Sequence, residues 1–175
     1  RLRQKLKELN PWLAEDKLPK VINQIRPARI NATDLLAANE TIYQKLVQHT
    51  SVRQDLGQGK KNQTVKYIDF EAPERNEFLA VNQFPVQGVE EIIPDIVLFI
   101  NGIPIGVIEC KHDGKCDEPE QEAIAQLRRY QNLRYSDQDE GAEKLFYPVQ
   151  ILAAAWRGSA SSATVGAPAR AYQEW

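Results

Sequence analysis

The sequence has 175 residues, no methionine, and two cysteines, Cys110 and Cys116. Two cysteines make no disulfide scaffold, and their separation fits no common zinc motif. They read as free thiols, which points to a reducing, cytoplasmic setting. No apolar run is long enough to span a membrane, so no membrane partner is expected. No secretory pattern opens the chain. With no methionine and a start at Arg1, the chain is expected to be part of something longer. A nucleotide-binding loop is also missing. The stretch GQGKKNQ (57–63) has Lys61 where such a loop needs Ser or Thr, and Gln54 where it needs Gly. Neither helicase motifs nor internal repeats are found. Net charge is only −2, which gives no global signature of nucleic-acid binding. Residues 1–30 do hold eight Lys or Arg against three acidic residues. That patch is either a contact for a phosphate backbone or acidic partner, or a solvated face.

What is present suits a globular domain with one real core: 42% hydrophobic and 26% charged residues. The first thirty residues read as helical pieces, broken near Asn10-Pro11 and ended by Arg26-Pro27. A further helix is expected up to about His49, capped by Asn31 or Thr33 with Asp34 in its first turn. Residues 57–63 read as a loop or hairpin turn. Strands are expected over TVKYIDF (64–70) and NEFLAVNQFPV (76–86). Next come PDIVLFI and IPIGVIEC, joined by Asn101-Gly102, the strongest short hairpin signal in the chain. Pro119 and Glu120 open a helix whose face includes Ala123, Leu127 and Tyr130. LFYPVQILAAAW (145–156) reads as a central strand, and the tail as a small-residue loop with a short strand at Thr164-Val165. This order indicates an α/β fold with a mixed β-sheet flanked by helices.

The hairpin PDIVLFINGIPIGVIECK (94–111) is apolar, yet it carries Asp95 near one end and Glu109 and Lys111 at the other. Strand alternation puts Glu109 and Lys111 on one face. A tight two-residue turn pairs Ile100 with Ile103 and leaves Asp95 facing Ile108. A three-residue connection, or a bulge, pairs Ile100 with Pro104 and sets Asp95 opposite Glu109, about 5 Å apart at Cβ. The second register is preferred because it gathers all three charges. The remaining apolar residues then predict a hairpin covered on both faces. Two carboxylates at its end would repel unless a cation bridged them, and Mg²⁺ suits such a pair. Lys111 is placed to orient or deprotonate a water and to offset developing charge, which implies phosphodiester hydrolysis. The competing reading is a salt bridge at a strand end, Glu109 pairing with Lys111 or Lys115.

NEFLAVNQFPVQG, PDIVLFINGIPIGVIECK and QLRRYQ together resemble the N-terminal nuclease region of the restriction (R) subunit of type I restriction–modification enzymes. That region belongs to the PD-(D/E)xK nuclease superfamily. The resemblance covers roughly residues 31–175 as the nuclease domain, with 1–30 as an N-terminal helical extension. It implies a restriction-endonuclease-like fold and a Mg²⁺-dependent endonuclease acting on double-stranded DNA. Asp95 matches the aspartate of the motif, and Glu109 and Lys111 its ExK pair. Cys110 stands where Leu is usual and is expected to face the core. Gln126 and Tyr130 match a QxxxY element that supports the site or touches DNA; the alternative is that they pack the helix on the sheet. Glu40 is a candidate extra metal ligand, and Asn82 and Gln83 are candidates to brace the site. The chain has Ile93 where a basic residue commonly precedes the motif. The resemblance further implies a larger parent chain with an ATP-driven translocase, and modification and specificity subunits as partners; ATP would bind only in the parent's other domains. A non-catalytic DNA-docking or assembly module, or a different nuclease of the superfamily, are the competing readings.

Overall fold

A computed structural model describes residues 1–27, 30, 32–112, 114, 117–134 and 138–175. The expectations on Asn31, Lys115 and Cys116 lie outside the described residues. Helices α1 (Leu2–Leu9) and α2 (Leu18–Ile25) open the chain, followed by α3 (Leu35–Val47). Strands β1 (Thr50–Asp55) and β2 (Lys60–Val65) form a separate ribbon. Then come β3 (Phe78–Asn82), the short pair β4 (Val86–Gln87) and β5 (Glu91–Ile92), β6 (Ile96–Ile100) and β7 (Ile103–Lys111). Helices α4 (Pro119–Tyr130) and α5 (Glu143–Phe146) precede β8 (Ile151–Trp156), β9 (Ser159–Ala163) and β10 (Gln173–Glu174). The main sheet runs β10-β9-β8-β7-β6-β3. Among the described strands only β7 and β8 pair in parallel, as expected where a helical crossover joins them. This mixed sheet flanked by helices is the arrangement of a restriction-endonuclease-like α/β fold.

Two apolar cores hold it. One lies between the sheet and α4, joining Val97, Val107, Ala123, Leu127, Tyr130, Leu152 and Ala154. The alanine run of β8 has its middle residue completely buried in this core, where small side chains let the helix approach closely. The other core joins α1 and α2 to Ile42, Leu46, Val52, Val65, Tyr67 and Ile103. Polar clasps reinforce it. Asn10 donates to the Lys66 carbonyl at 2.8 Å and accepts the Lys66 N–H at 2.8 Å. Tyr67 donates its hydroxyl to the Val21 carbonyl at 3.0 Å, and burial pushes its pKa up to about 12.

Several expectations need correction. Asp34 is itself the cap of α3, accepting the Ala37 N–H at 2.9 Å, in place of Thr33. Residues 60–65, not 64–70, form the strand, paired with β1, which the pattern did not reveal. Both strands of that ribbon are polar and mostly exposed; the chief apolar anchors are Val52 and Val65. Residues 143–146 form a helical turn, so the central strand starts only at Ile151. The tail carries β9 and β10 instead of a strand at Thr164-Val165.

The hairpin register reconciles both sequence alternatives. Asn101-Gly102 is a tight turn with φ of 55° and 79°, and Ile100 pairs with Ile103, contrary to the preferred pairing with Pro104. Phe99 pairs with Pro104, but Leu98 pairs with Gly106, so Ile105 is an extra residue. Pro104 has no N–H for the ladder, and a bulge beside it absorbs that loss. Beyond the bulge Ile96 pairs with Ile108, and continuing this register sets Asp95 opposite Glu109. The face away from α4 is not fully covered. Phe78 is 62% exposed there, and Leu98 and Ile108 are only half-buried.

Asn101 anchors the turn. Its buried side chain accepts the Glu77 N–H at 2.8 Å and donates to the Tyr67 carbonyl at 2.9 Å and Asn76 Oδ1 at 2.8 Å. Asn101→Gly keeps the left-handed turn and removes only the amide. It is expected to cost about 3 kcal/mol, on the order of 10 °C in Tm at this chain length. Thermal melting checks it.

Candidate active site

Asp95 lies just before β6, and Glu109 and Lys111 end β7. The two elements are held together at this point by main-chain and side-chain bonds. The Cys110 N–H donates to Asp95 Oδ2 at 2.8 Å, and Gln83 Nε2 donates to Asp95 Oδ1 at 2.6 Å. Both carboxylate oxygens of Asp95 therefore have fixed directions. Glu109 is 2% exposed. Its Oε1 accepts from Lys111 Nζ at 3.1 Å, and its Oε2 is buried with no hydrogen-bond partner among the described residues.

Burial pushes the Glu109 carboxyl above the usual carboxylate range. Lys111 pulls it back down, the Asp95 charge adds to the rise, and the nearby Asp95 backbone N–H lowers it again by the smallest amount. An unpartnered, desolvated carboxylate oxygen next to a second carboxylate is a costly arrangement for the chain alone. It suits a hard divalent cation, which prefers oxygen donors of this kind. Asp95 and Glu109 are the residues that would hold one.

Helix α4 supplies the next layer. Gln126 and Tyr130 are four apart and share a face. Lys111 Nζ donates to Gln126 Oε1 at 2.5 Å, and Gln126 Nε2 donates to the Tyr130 hydroxyl at 2.5 Å. The ammonium can only donate, so the amide must turn its oxygen to Lys111 and its nitrogen to Tyr130. Tyr130 is buried, and burial raises its pKa, which keeps the hydroxyl neutral as an anchor. Two of the ammonium's three N–H groups go to Glu109 and Gln126, and the third has no partner among the described residues.

The structure thus gathers two hydrogen-bonded groups into one cluster at the strand ends: Gln83 with Asp95 and the Cys110 N–H, and Glu109 with Lys111, Gln126 and Tyr130. It does not bring in Glu40, which is exposed on α3. Among the described residues no group of three or more His, Cys, Asp or Glu side chains is set to hold a metal. Asn82 is exposed at the end of β3, opposite Ile96, and makes no hydrogen bond to the cluster among the described residues. Cys110 is exposed, contrary to the expectation that it faces the core: it alternates with buried Glu109 and so points to the open face. The Glu109–Lys111 ion pair of the competing reading is present, within the larger cluster.

An open groove of about 720 Å³ adjoins the strand ends, lined by Cys110, Lys111, His112 and Arg157. Arg157 carried no site signal in the sequence. The parallel register that pairs Lys111 with Trp156 brings it there, at the tip of the β8–β9 hairpin.

Tyr130→Phe is expected to leave the fold intact while loosening Gln126 and hence Lys111. Activity should fall about tenfold, in the range for one lost polar contact at a site. Comparing the loss of activity with Tm separates this from misfolding.

Residues 1–155 match the family described as "Type I restriction enzyme R protein N terminus". The chain is 31% identical over 148 residues to the type I restriction enzyme HindI endonuclease subunit of Haemophilus influenzae, a match covering 83% of this chain and 13% of that protein. It is 37% identical over 110 residues to a Methanocaldococcus jannaschii protein provisionally named the MjaIXP endonuclease subunit of a type I restriction enzyme, covering 61% of this chain and 10% of that protein. This chain spans about a tenth of the length of these curated relatives.

Proposed function

This chain belongs to the family of type I restriction enzyme R protein N termini, and on that premise we propose that it is a Mg²⁺-dependent nuclease domain. Its reaction is hydrolysis of phosphodiester bonds in double-stranded DNA, as part of a larger enzyme. The single observation that carries this reading is the buried Glu109 Oε2, which has no hydrogen-bond partner among the described residues, beside Asp95. A strand-end salt bridge needs one carboxylate and one ammonium. It does not account for a second carboxylate whose orientation is fixed from two sides.

Asp95 and Glu109 would hold the cation. When bound, it supplies positive charge to phosphate oxygens and lowers the pKa of a coordinated water. The rest is the work of the chain's own groups. Gln83 and the Cys110 N–H fix the Asp95 carboxylate before substrate arrives. Lys111 offers its remaining N–H to a phosphate oxygen or to the attacking water, offsetting charge as it develops. Gln126 and Tyr130 hold that ammonium in place at no cost during the reaction.

The translocase, ATP use and the modification and specificity subunits belong to the proposed parent enzyme, assembled in the cytoplasm. Plasmid cleavage by that assembled enzyme tests the reading. Wild type is expected to cut, and Asp95→Ala to hydrolyse ATP at the normal rate without cutting. Equal cleavage by both would favour a docking module that retains the nuclease fold.

A further inference from the structure

Four non-glycine residues among those described have a left-handed backbone: His49, Gln83, Asn101 and Asn132. Asn tolerates that conformation through its short polar side chain, and glycine adopts it freely. Gln has neither advantage, yet Gln83 sits at φ 51°. Its side chain is exposed, so no core packing explains its presence. Its backbone N–H donates to the Asp95 carbonyl at 2.8 Å, a bond glycine would make equally well. Only the side-chain amide distinguishes Gln here. That amide reaches Asp95 Oδ1 at 2.6 Å, and since the carboxylate only accepts, Nε2 is the atom presented. Strained backbone of this kind persists where the surroundings need the side chain it carries.

We propose that Gln83 is a positioning residue, which fixes the Asp95 carboxylate in the orientation that receives a divalent cation. The Cys110 N–H fixes the other oxygen. This rests on the metal-dependent reading above. Gln83 does not touch the cation or the DNA; it acts through Asp95.

The test is Gln83→Gly, with Mn²⁺ as the probe, in the 175-residue chain, which carries two apolar cores of its own. Relief of the left-handed strain should leave Tm equal to wild type or above it. The Mn²⁺ dissociation constant should nevertheless rise about tenfold, as for a lost outer contact to a metal ligand. Gln83→Asn tolerates the backbone but is one methylene shorter, and should weaken binding similarly. In an Asp95→Ala background, Gln83→Gly should change nothing further, since its only route is through that carboxylate. In the assembled enzyme, raised Mn²⁺ should restore cleavage by Gln83→Gly but not by Asp95→Ala. Two results overturn the proposal while leaving the nuclease reading intact. One is Mn²⁺ affinity within twofold of wild type in Gln83→Gly when Asp95→Ala has lost it. The other is a lowered Tm with effects that add to those of Asp95→Ala. A wild-type chain with no Mn²⁺ binding dependent on Asp95 and Glu109 overturns both the proposal and the reading beneath it.

Discussion

Glu109→Gln is expected to abolish DNA cleavage and, in the same chain, to raise the thermal stability of the metal-free protein at neutral pH. Both effects come from one feature. Glu109 is buried, its Oε2 has no partner among the described residues, and burial raises its pKa. Holding it ionised therefore costs folding free energy, which the neutral amide avoids. The sign follows from linkage. A carboxyl with a raised folded pKa binds its proton more tightly in the folded chain than in the unfolded one. Its stabilising contribution is complete below the unfolded value, near 4.5, and is lost as pH rises through the raised folded value. The stability difference between wild type and Glu109→Gln should thus grow from acid toward neutral pH. Added Mn²⁺ should narrow or reverse it, because only the carboxylate gains from the cation. Melting curves across that pH range, with and without Mn²⁺, check this. A Glu109→Gln chain that is less stable at every pH would mean that the carboxylate serves as a structural ion pair.

Lys111→Met is the second large effect. Its ammonium holds Glu109 Oε1 at 3.1 Å and Gln126 Oε1 at 2.5 Å. Cleavage should fall about 10²–10³-fold, the usual loss when a preorganised charge is removed from a reacting centre. A second consequence is specific to this site. Lys111 pulls the Glu109 pKa down against burial and the Asp95 charge. Without it, more of Glu109 is protonated at neutral pH and unable to hold a cation. The pH profile of the residual activity should therefore shift to higher pH, with partial recovery on the alkaline side. Measuring single-turnover cleavage against pH for both proteins tests this. A rate loss with an unshifted profile would show that Lys111 acts on the phosphate alone and does not tune Glu109.

The core of the candidate site was legible from the sequence because Asp95, Glu109 and Lys111 are close in the chain and joined by a turn with strong local chemistry. Asn101-Gly102 adopts the left-handed pair of φ angles that this dipeptide favours. Strand alternation then places Glu109 and Lys111 together. The bulge at Ile105 was not legible as to position, although Pro104 marks where the ladder fails. It displaces the register by one residue and so decides which side chain opposes Asp95. Gln126 and Tyr130 were found through a helical spacing and a family resemblance. The chain of hydrogen bonds from Lys111 to Gln126 and from Gln126 to Tyr130 needed the tertiary placement of α4 on β7.

What stayed hidden was mostly non-local or polar. Arg157 reaches the groove only through the parallel pairing of β7 with β8, and no local pattern encodes a parallel neighbour. The β1–β2 ribbon carries few apolar residues, so the alternation that reveals a half-buried strand is weak. Leu145 and Phe146 continued the apolar run into β8, but Pro148 separates their helical turn from the strand. Cys110 looked like a core residue because it is apolar and lies within a buried strand. The structure turns it outward because its neighbour Glu109 faces in.

Asp95 and Glu109 are expected to form one divalent-cation site. Calorimetric titration of the 175-residue chain with Mn²⁺, for wild type, Asp95→Ala and Glu109→Ala side by side, tests it most directly. Wild type should show a binding event that disappears in both variants while their folds persist. Binding that survives both substitutions unchanged, or a wild-type chain that binds no Mn²⁺, would contradict it.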